Sequence, residues 1–213
     1  MDLRHPLAKT KSTDTRFCKR VFLPEEEAAF LSYRDPDALL WALWTGKEAA
    51  YKAAQKERMA VPAIPRLYKI VFEQESGSDR EGTAHTHERR LLGTVHTPVG
   101  RMRLETLLTP DYVHTIALTD LEDRGNKAVW EVERLPVADA LAPEDESSSV
   151  RKSLIGRLAR YLLAPPEDIE IRRGPGRQGL GPPHVYFRRQ STAIDISLSH
   201  DGAFAAYAFL PSL

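Results

Sequence analysis

Cysteine is almost absent: Cys18 is the single one in 213 residues. A lone thiol excludes an internal disulfide and a thiolate zinc site, and it fits a reducing compartment best. Long apolar runs are absent as well; none approaches the roughly 20 residues that cross a bilayer. The chain does not open on a basic region, an apolar core and a small-residue cleavage site, so no signal peptide is expected and the expected location is the cytoplasm. Neither sign of charge is in excess. Thirty lysines and arginines balance thirty aspartates and glutamates. That balance argues against bulk nucleic acid or an anionic membrane as partner and leaves room for a local basic patch. Internal repeats and low-complexity segments are lacking.

Several catalytic signatures are also missing. No histidine, His85, His87, His96 and His114 included, falls in the helical H-E-x-x-H pattern of zinc enzymes. There is no G-x-S-x-G elbow, and Ser199 and His200, adjacent on a strand, would point to opposite faces, which speaks against a serine hydrolase. There is no Walker loop. Gly174 to Gly179 (GPGRQG) follows a short strand and opens no helix, so it is not a dinucleotide fingerprint.

What is present centres on Leu39 to Ala54, LLWALWTGKEAAYKAA. Leu39, Leu40, Leu43, Ala50, Tyr51 and Ala54 recur at helical spacing and form an apolar stripe. Trp44, Glu48 and Lys52 fall four apart on one side, with Lys47 beside them. A carboxylate and an ammonium one turn apart can hold a hard metal ion and an anion together, or they can be an ordinary surface pair. Gly46 costs the helix about 1 kcal/mol relative to alanine; it either lets a ligand or a second backbone come close or is a tolerated defect.

Ahead of this helix, Thr13 to Phe22 suits a short helix capped by Thr13 or Asp14, with Phe17 and Val21 on one face and Arg16 and Arg20 on the neighbouring strip. Pro24 to Leu31 suits a second, with proline and acids in its first turn. Asp35-Pro36 caps the long helix. Beyond it, Val61-Pro62 and Ile64-Pro65 end helical structure and Arg66 to Phe72 alternates like a strand. Ser76 to Thr86 reads as a polar loop. Strands are expected in Leu91 to Val99, Arg101 to Leu108, Thr109 to Leu118 and Ala128 to Leu135, with bends at Gly100 and Asp123 to Asn126. Ala142 to Ser149 reads as a polar linker. Val150 to Leu163 reads as an amphipathic helix with Val150, Leu154, Leu158 and Tyr161 inward and Arg151, Lys152, Arg157 and Arg160 outward. Ile169 to Ile171 is a short strand, Gly174 to Pro183 a loop, and Val185 to Phe187 a strand. Two alternating apolar runs joined by Asp201-Gly202 then predict a closing hairpin, which puts Ser199 and His200 at a strand end.

Taken in order, RFCKRVFLPEEEAAF, WTGKEAAYKA, GLGPP and DISLSHDGAFAAYAF resemble the 4′-phosphopantetheinyl transferase superfamily, in the segment order of its holo-acyl-carrier-protein synthase branch. That branch runs GxD, RFxxRV, KEAxxKA, a Gly-x-Pro turn and a final (I/V)SxSH strand. The resemblance covers roughly Asp2 to Ala54 and Gly174 to Phe209. It implies an α+β phosphopantetheinyl transferase-like module, an antiparallel sheet packed with helices. The expectation is one domain over residues 1–213 with a β-rich insertion at 61–149. Asp2-Leu3 and Pro6 look like the tail of a GNDxVDLxxP strand, so the GxD aspartate would stand just before Met1.

The resemblance also implies a reaction. The 4′-phosphopantetheine group of coenzyme A would pass to a serine of an acyl or peptidyl carrier protein, with Mg²⁺ as cofactor and coenzyme A as substrate. Phosphoryl transfer asks mainly for positioning and for neutralisation of oxygen charge. Carried over residue by residue, Glu48 is a catalytic residue and metal ligand, with Asp2 a partial substitute for the missing ligand. Lys52 is catalytic and contacts the reacting phosphate. Lys47, Lys52, Ser199 and His200 bind coenzyme A, and Arg16 and Arg20 meet the acidic helix of the carrier protein. The general base stays open between Glu48 and a water. An oligomer is possible, because the superfamily's cleft lies between two modules. A different class of function is a non-catalytic relative that binds coenzyme A or a carrier protein without a complete metal site, and a third is an unrelated α+β module.

Overall fold

The computed structural model describes residues 1–58, 60–77, 88–119, 128–135, 143–176 and 179–211. The fold is α+β, and the chain divides into two compact units, Met1–Gly125 and Asn126–Leu213. The stretch 61–149, expected as an insertion within one domain, is shared between them. The bend expected at Asp123 to Asn126 and most of the loop expected at Ser76 to Thr86 lie outside the described residues.

In the first unit three helices precede a sheet. Helix α1 (Thr15–Val21) starts where the Asp14 carboxylate accepts from the Phe17 N–H at 2.9 Å. Helix α2 (Pro24–Leu31) begins with proline and three glutamates, residues the first turn favours. Helix α3 (Pro36–Glu57) is capped by Asp35, as the sequence expects. Strands β1 (Lys69–Gly77), β2 (Arg89–Thr97), β3 (Gly100–Leu108) and β4 (Val113–Leu118) form an antiparallel sheet in sequence order. The predicted stripe of α3 is what meets it: Leu39, Leu40, Leu43, Ala50 and Ala54 are buried in one cluster with Ile70, Leu91, Val95, Met102 and Leu104. Each such side chain removed from water contributes about 1.5–3 kcal/mol, which is why the stripe sets the helix's orientation.

Two glycines admit close packing of different kinds. A Cβ on Gly46 would stand 2.6 Å from Ile70 Cδ1 and 3.3 Å from Leu104 Cδ1. What comes close to Gly46 is therefore the sheet's side chains. A Cβ on Gly93 would meet backbone, 2.3 Å from the Val71 carbonyl oxygen and 2.9 Å from Phe72 Cα. Gly93 lies opposite Phe72, where the β1–β2 register shifts between Phe72 and Gln74 and one extra residue of β1 bulges out. Side-chain tips can rotate away and backbone cannot. Gly93→Ala is thus expected to cost about 1–3 kcal/mol. Gly46→Ala should cost less, because the gain in helix propensity of about 1 kcal/mol offsets part of the clash. Urea denaturation of the two variants checks the order; a Gly93→Ala variant as stable as Gly46→Ala would refute it.

The second unit holds strands β5 (Val129–Arg134), β6 (Ile169–Gly176), β7 (Gly179–Phe187), β8 (Gln190–Ser191), β9 (Asp195–Asp201) and β10 (Phe204–Leu210), with helix α4 (Pro143–Leu162). They make two three-stranded sheets, β5-β10-β9 and β6-β7-β8. The closing hairpin therefore pairs with β5 and does not complete the sheet of the first unit. Its two-residue loop is Gly202-Ala203, since Phe204 pairs with Asp201, and Gly202 takes a left-handed φ of 56°. Val150, Leu154 and Leu158 of α4 are buried with Ile169, Val185, Ile196 and Tyr207. Tyr161, expected inward, is 43% exposed and packs its ring on Phe209.

Two local expectations are overturned. The segment expected as a polar linker is mostly the start of α4, which begins at Pro143. Proline is well suited to a first helical turn, and the apolar stripe from Val150 carries the helix once it has started. The described part of the glycine- and proline-rich stretch is the end of β6 and the start of β7, with a register shift between Arg173 and Pro175. Prolines are tolerated at such irregularities, where a ladder bond is already lost.

Candidate functional site

The motif residues on α3 divide sharply by exposure. Glu48 is exposed and Lys52 half-buried, one turn apart on the same side. Lys47 points the other way and is only 2% exposed. Its ammonium lies 2.8 Å from Glu26 Oε1 and donates to the Tyr68 carbonyl at 2.6 Å and the Pro65 carbonyl at 3.3 Å. Glu26, also 2% exposed, accepts in addition from the Leu23 N–H and the Ile70 N–H, each at 2.9 Å. This buried pair joins α2, α3 and the entry to β1. Burial pushes the Lys47 ammonium below its ordinary pKa, and Glu26 opposes that shift. The sequence reading places Lys47 at a phosphate; in the structure its amino group is engaged by these protein oxygens.

The remainder of the α3 site is set by its neighbours. Trp44 and Trp41 pack on Phe17 of α1 with ring centroids 5.9 and 6.1 Å apart. That contact seats α1 beside the first turns of α3. It leaves Arg16 and Arg20, four residues apart, exposed on α1. Thr45, three residues before Glu48, reaches the sheet: its hydroxyl is 2.8 Å from that of Thr115 on β4, which is 2.9 Å from that of Thr106 on β3. The Thr45 hydroxyl also donates to the Ala42 carbonyl at 3.1 Å.

Asp2 forms a bridge with Tyr112, alongside β4, and the backbone bonds Leu3 N–H to Asp111 O at 2.8 Å and Val113 N–H to Met1 O at 3.0 Å extend it. Asp2 is 5% exposed, and its carboxylate is covered by Arg4, whose backbone N–H donates to Oδ1 at 2.9 Å and whose guanidinium donates to both oxygens at 3.3 Å. Among the described residues no group of three or more His, Cys, Asp or Glu stands ready to hold a metal ion. A cleft of about 540 Å³ exists between α2 and β1, lined by Glu25, Tyr33, Phe72 and Glu75 among others, and none of the motif residues of α3 lines it.

One residue of the site was not singled out by sequence. His114 on β4 is lowered to about 4 by burial, by the amino-terminal charge and by Lys52. The Lys52 ammonium is therefore within electrostatic reach of a neutral imidazole. The alternation of strand β4 could place His114 on a face, but only the packing of α3 brings it near Lys52. A depressed histidine takes up its proton in the unfolded chain first. Stability is thus full above the ordinary value of about 6.5 and falls as pH drops toward 4, by roughly 2–3 kcal/mol. Replacement of His114 by asparagine should flatten that part of the stability–pH curve between pH 6.5 and 4; an unchanged slope would show that other groups cause it.

Ser199 and His200 belong to the second unit. They sit on β9, the edge of its sheet, opposite Ala206 and Ala205 of β10. Ser199 is half-buried and His200 exposed.

Comparison with known proteins adds one match. The family model described as the 4′-phosphopantetheinyl transferase superfamily fits residues 1–117, more than half of the 213-residue chain. No curated protein and no solved structure matches. Among the described residues no helix is long and apolar enough to cross a membrane.

Proposed function

From the premise that this chain belongs to the 4′-phosphopantetheinyl transferase superfamily, whose general chemistry is phosphopantetheine transfer, we propose that it moves the 4′-phosphopantetheine group of coenzyme A onto a serine of an acyl or peptidyl carrier protein. The observation that supports this reading best is the split on α3. The KEA lysine is withdrawn into the core, while the KEA glutamate and the lysine one turn later are left on the outer side.

The proposed roles follow from that split. Glu48 is a hard oxygen donor, the kind Mg²⁺ takes in small number while phosphate and water complete its shell. Held there, Mg²⁺ would supply charge neutralisation for the diphosphate of coenzyme A. Asp2 is left out of the proposed ligand set, because Arg4 occupies its carboxylate. Lys52 contacts the reacting phosphate and offsets the negative charge that develops on its oxygens. Neutral His114 near Lys52 adds no competing positive charge. Lys47 ties α3 to α2 through Glu26 and takes no part in binding coenzyme A. Ser199 and His200 are proposed as coenzyme A phosphate contacts on the strength of the ISLSH strand alone. Arg16 and Arg20 offer two exposed guanidinium groups on one face to an acidic helix of the carrier protein.

The test is mass spectrometry of an apo carrier protein after incubation with the full chain, coenzyme A and Mg²⁺. The reading requires a gain of one phosphopantetheine, lost with Glu48→Ala. The other reading on this scaffold is a binding protein without transfer, and the covered state of Asp2 favours it. Titration calorimetry with coenzyme A separates the two: heat of binding with no transfer to any carrier supports the binding protein.

A further inference from the structure

The half of α3 that carries Glu48 and Lys52 has little shape on its inner side. Up to Leu43 the helix is held by Leu39, Leu40, Trp41 and Leu43, all buried. From Gly46 onward its buried residues are Gly46, Lys47, Ala50 and Ala54. Glycine and alanine let the helix lie close on the sheet, but they are too short to interlock with it. Direction in this half must come from side chains that reach out and bond. Lys47 does so on one flank, toward Glu26 and the carbonyls of Pro65 and Tyr68, and Tyr51 adds a ring contact with Tyr68 there. On the other flank the residue that does so is Thr45.

Thr45, Glu48 and Lys52 stand at i, i+3 and i+7, so the three share one side of the helix. The Thr45 hydroxyl is 2.8 Å from that of Thr115 on β4, and Thr115 is 2.9 Å from Thr106 on β3. Thr115 is 8% exposed and Thr106 0%. Packing alone would be served by valine, which has almost the same outline and no hydroxyl to desolvate. What the hydroxyls add is contact of fixed length and direction between the helix and two strands. The same strand borders the chemistry, since His114, next to Thr115, lies within electrostatic reach of Lys52.

We propose that Thr45 is a positioning residue for the transfer step: its hydroxyl contact with Thr115 and Thr106 sets the direction in which the Glu48 carboxylate and the Lys52 ammonium leave the helix. The proposal rests on the roles given above to Glu48 and Lys52. Thr45 itself touches neither phosphate nor carrier protein. Its effect is on alignment, so it acts on the rate at saturating substrate more than on the affinity for coenzyme A.

The test has a kinetic arm and an arm that needs no activity. In the first, the full chain is compared with Thr45→Val, Thr45→Ser, Thr115→Val and Val95→Ala by mass spectrometry of an apo carrier protein with coenzyme A and Mg²⁺. Thr45→Val should lower kcat about tenfold with KM for coenzyme A within about twofold. Thr45→Ser, which keeps the hydroxyl, should stay near wild type. Thr115→Val breaks the same contact from the strand and must show the same split; it carries the test if Thr45→Val does not fold. Val95→Ala trims the core under α3 without touching the row, and should lower the melting temperature and leave kcat of the folded fraction alone. In the second arm, nitroxides are placed at Glu48→Cys and Arg101→Cys, both exposed, while Cys18 is 1% exposed and stays unlabelled. The distance distribution from pulsed electron paramagnetic resonance should widen or shift with Thr45→Val and return with Thr45→Ser. An unchanged distribution in Thr45→Val, a wild-type kcat in that variant, or an equal loss of kcat in Val95→Ala would each overturn the proposal. Absence of transfer by the wild-type chain would instead remove the roles of Glu48 and Lys52, and the distance arm alone would then decide whether Thr45 sets the direction of residue 48.

Discussion

Replacing Lys47 with methionine will cost the first unit about 3–5 kcal/mol, more than any change at an exposed position of the same helix. The reason is the company Lys47 keeps. Methionine fills the space of the lysine stem but leaves the Glu26 carboxylate, 2% exposed, as a buried charge with no cation. It also leaves the carbonyls of Tyr68 and Pro65 without the donor they have now. A second change should recover part of the loss. With Glu26→Gln added, the side-chain oxygen can still accept from the Leu23 or Ile70 N–H, and no net charge remains in the core. Removing the charge is expected to return roughly half of the deficit, in line with the desolvation that a lone buried ion carries. Denaturant unfolding of the single and double variants measures both. If Lys47→Met unfolds within 1 kcal/mol of wild type, a threshold set by the median for exposed pairs, the ammonium is not anchored as described. Coenzyme A titration supplies the complementary reading: a Lys47 that serves the core changes stability and leaves the affinity of the folded fraction alone.

The opposite profile is expected one residue on. Glu48→Gln keeps the size of the side chain and removes its charge. Phosphopantetheine transfer should fall by at least about 10²-fold, the scale on which one well-placed electrostatic contact acts in a transition state. Stability should stay within about 0.5 kcal/mol, as for most exposed sites. Lys52→Ala belongs with it and should lower kcat more than it raises KM, since its charge matters most when the phosphate oxygens carry most negative charge. Rates come from mass spectrometry of the modified carrier protein at saturating coenzyme A. A Glu48→Gln chain that transfers at the wild-type rate would remove Glu48 from the mechanism. Adjacent residues with opposite phenotypes, one structural and one chemical, are a demanding outcome for a helix surface to produce by chance.

Sequence periodicity reached far in the first unit. The stripe on α3, the Asp35 cap, the three leading helices and the strands that follow were all legible, because each rests on local spacing or on a short-range capping bond. The split between Lys47 and Glu48 was not. Neighbours on a helix differ by about 100° in direction, but whether lysine finds a buried carboxylate depends on Glu26, 21 residues away. His114 was passed over for the same reason: its nearness to Lys52 comes from the packing of β4 on α3. In the second unit, polar composition concealed the first turns of α4. Glycine and proline likewise concealed two strand ends whose irregular register accommodates them. The closing hairpin was legible from its turn, but its sheet partner β5 was not, since nothing local specifies which strand a hairpin's free edge will meet.

The three threonines between α3 and the sheet have a handedness in their protons. A hydroxyl has one hydrogen to give. If Thr45 gives its own to the Ala42 carbonyl at 3.1 Å, the contact to Thr115 is filled by the Thr115 hydrogen and the next by that of Thr106. In that arrangement the row runs from β3 through β4 to α3. Valine at the middle position would match the shape and break the row at both ends, leaving the buried Thr106 hydroxyl to find another partner. The row ties α3 at Thr45 to two strands of the sheet, three residues before Glu48, so a turn of the helix about its own axis would have to break it.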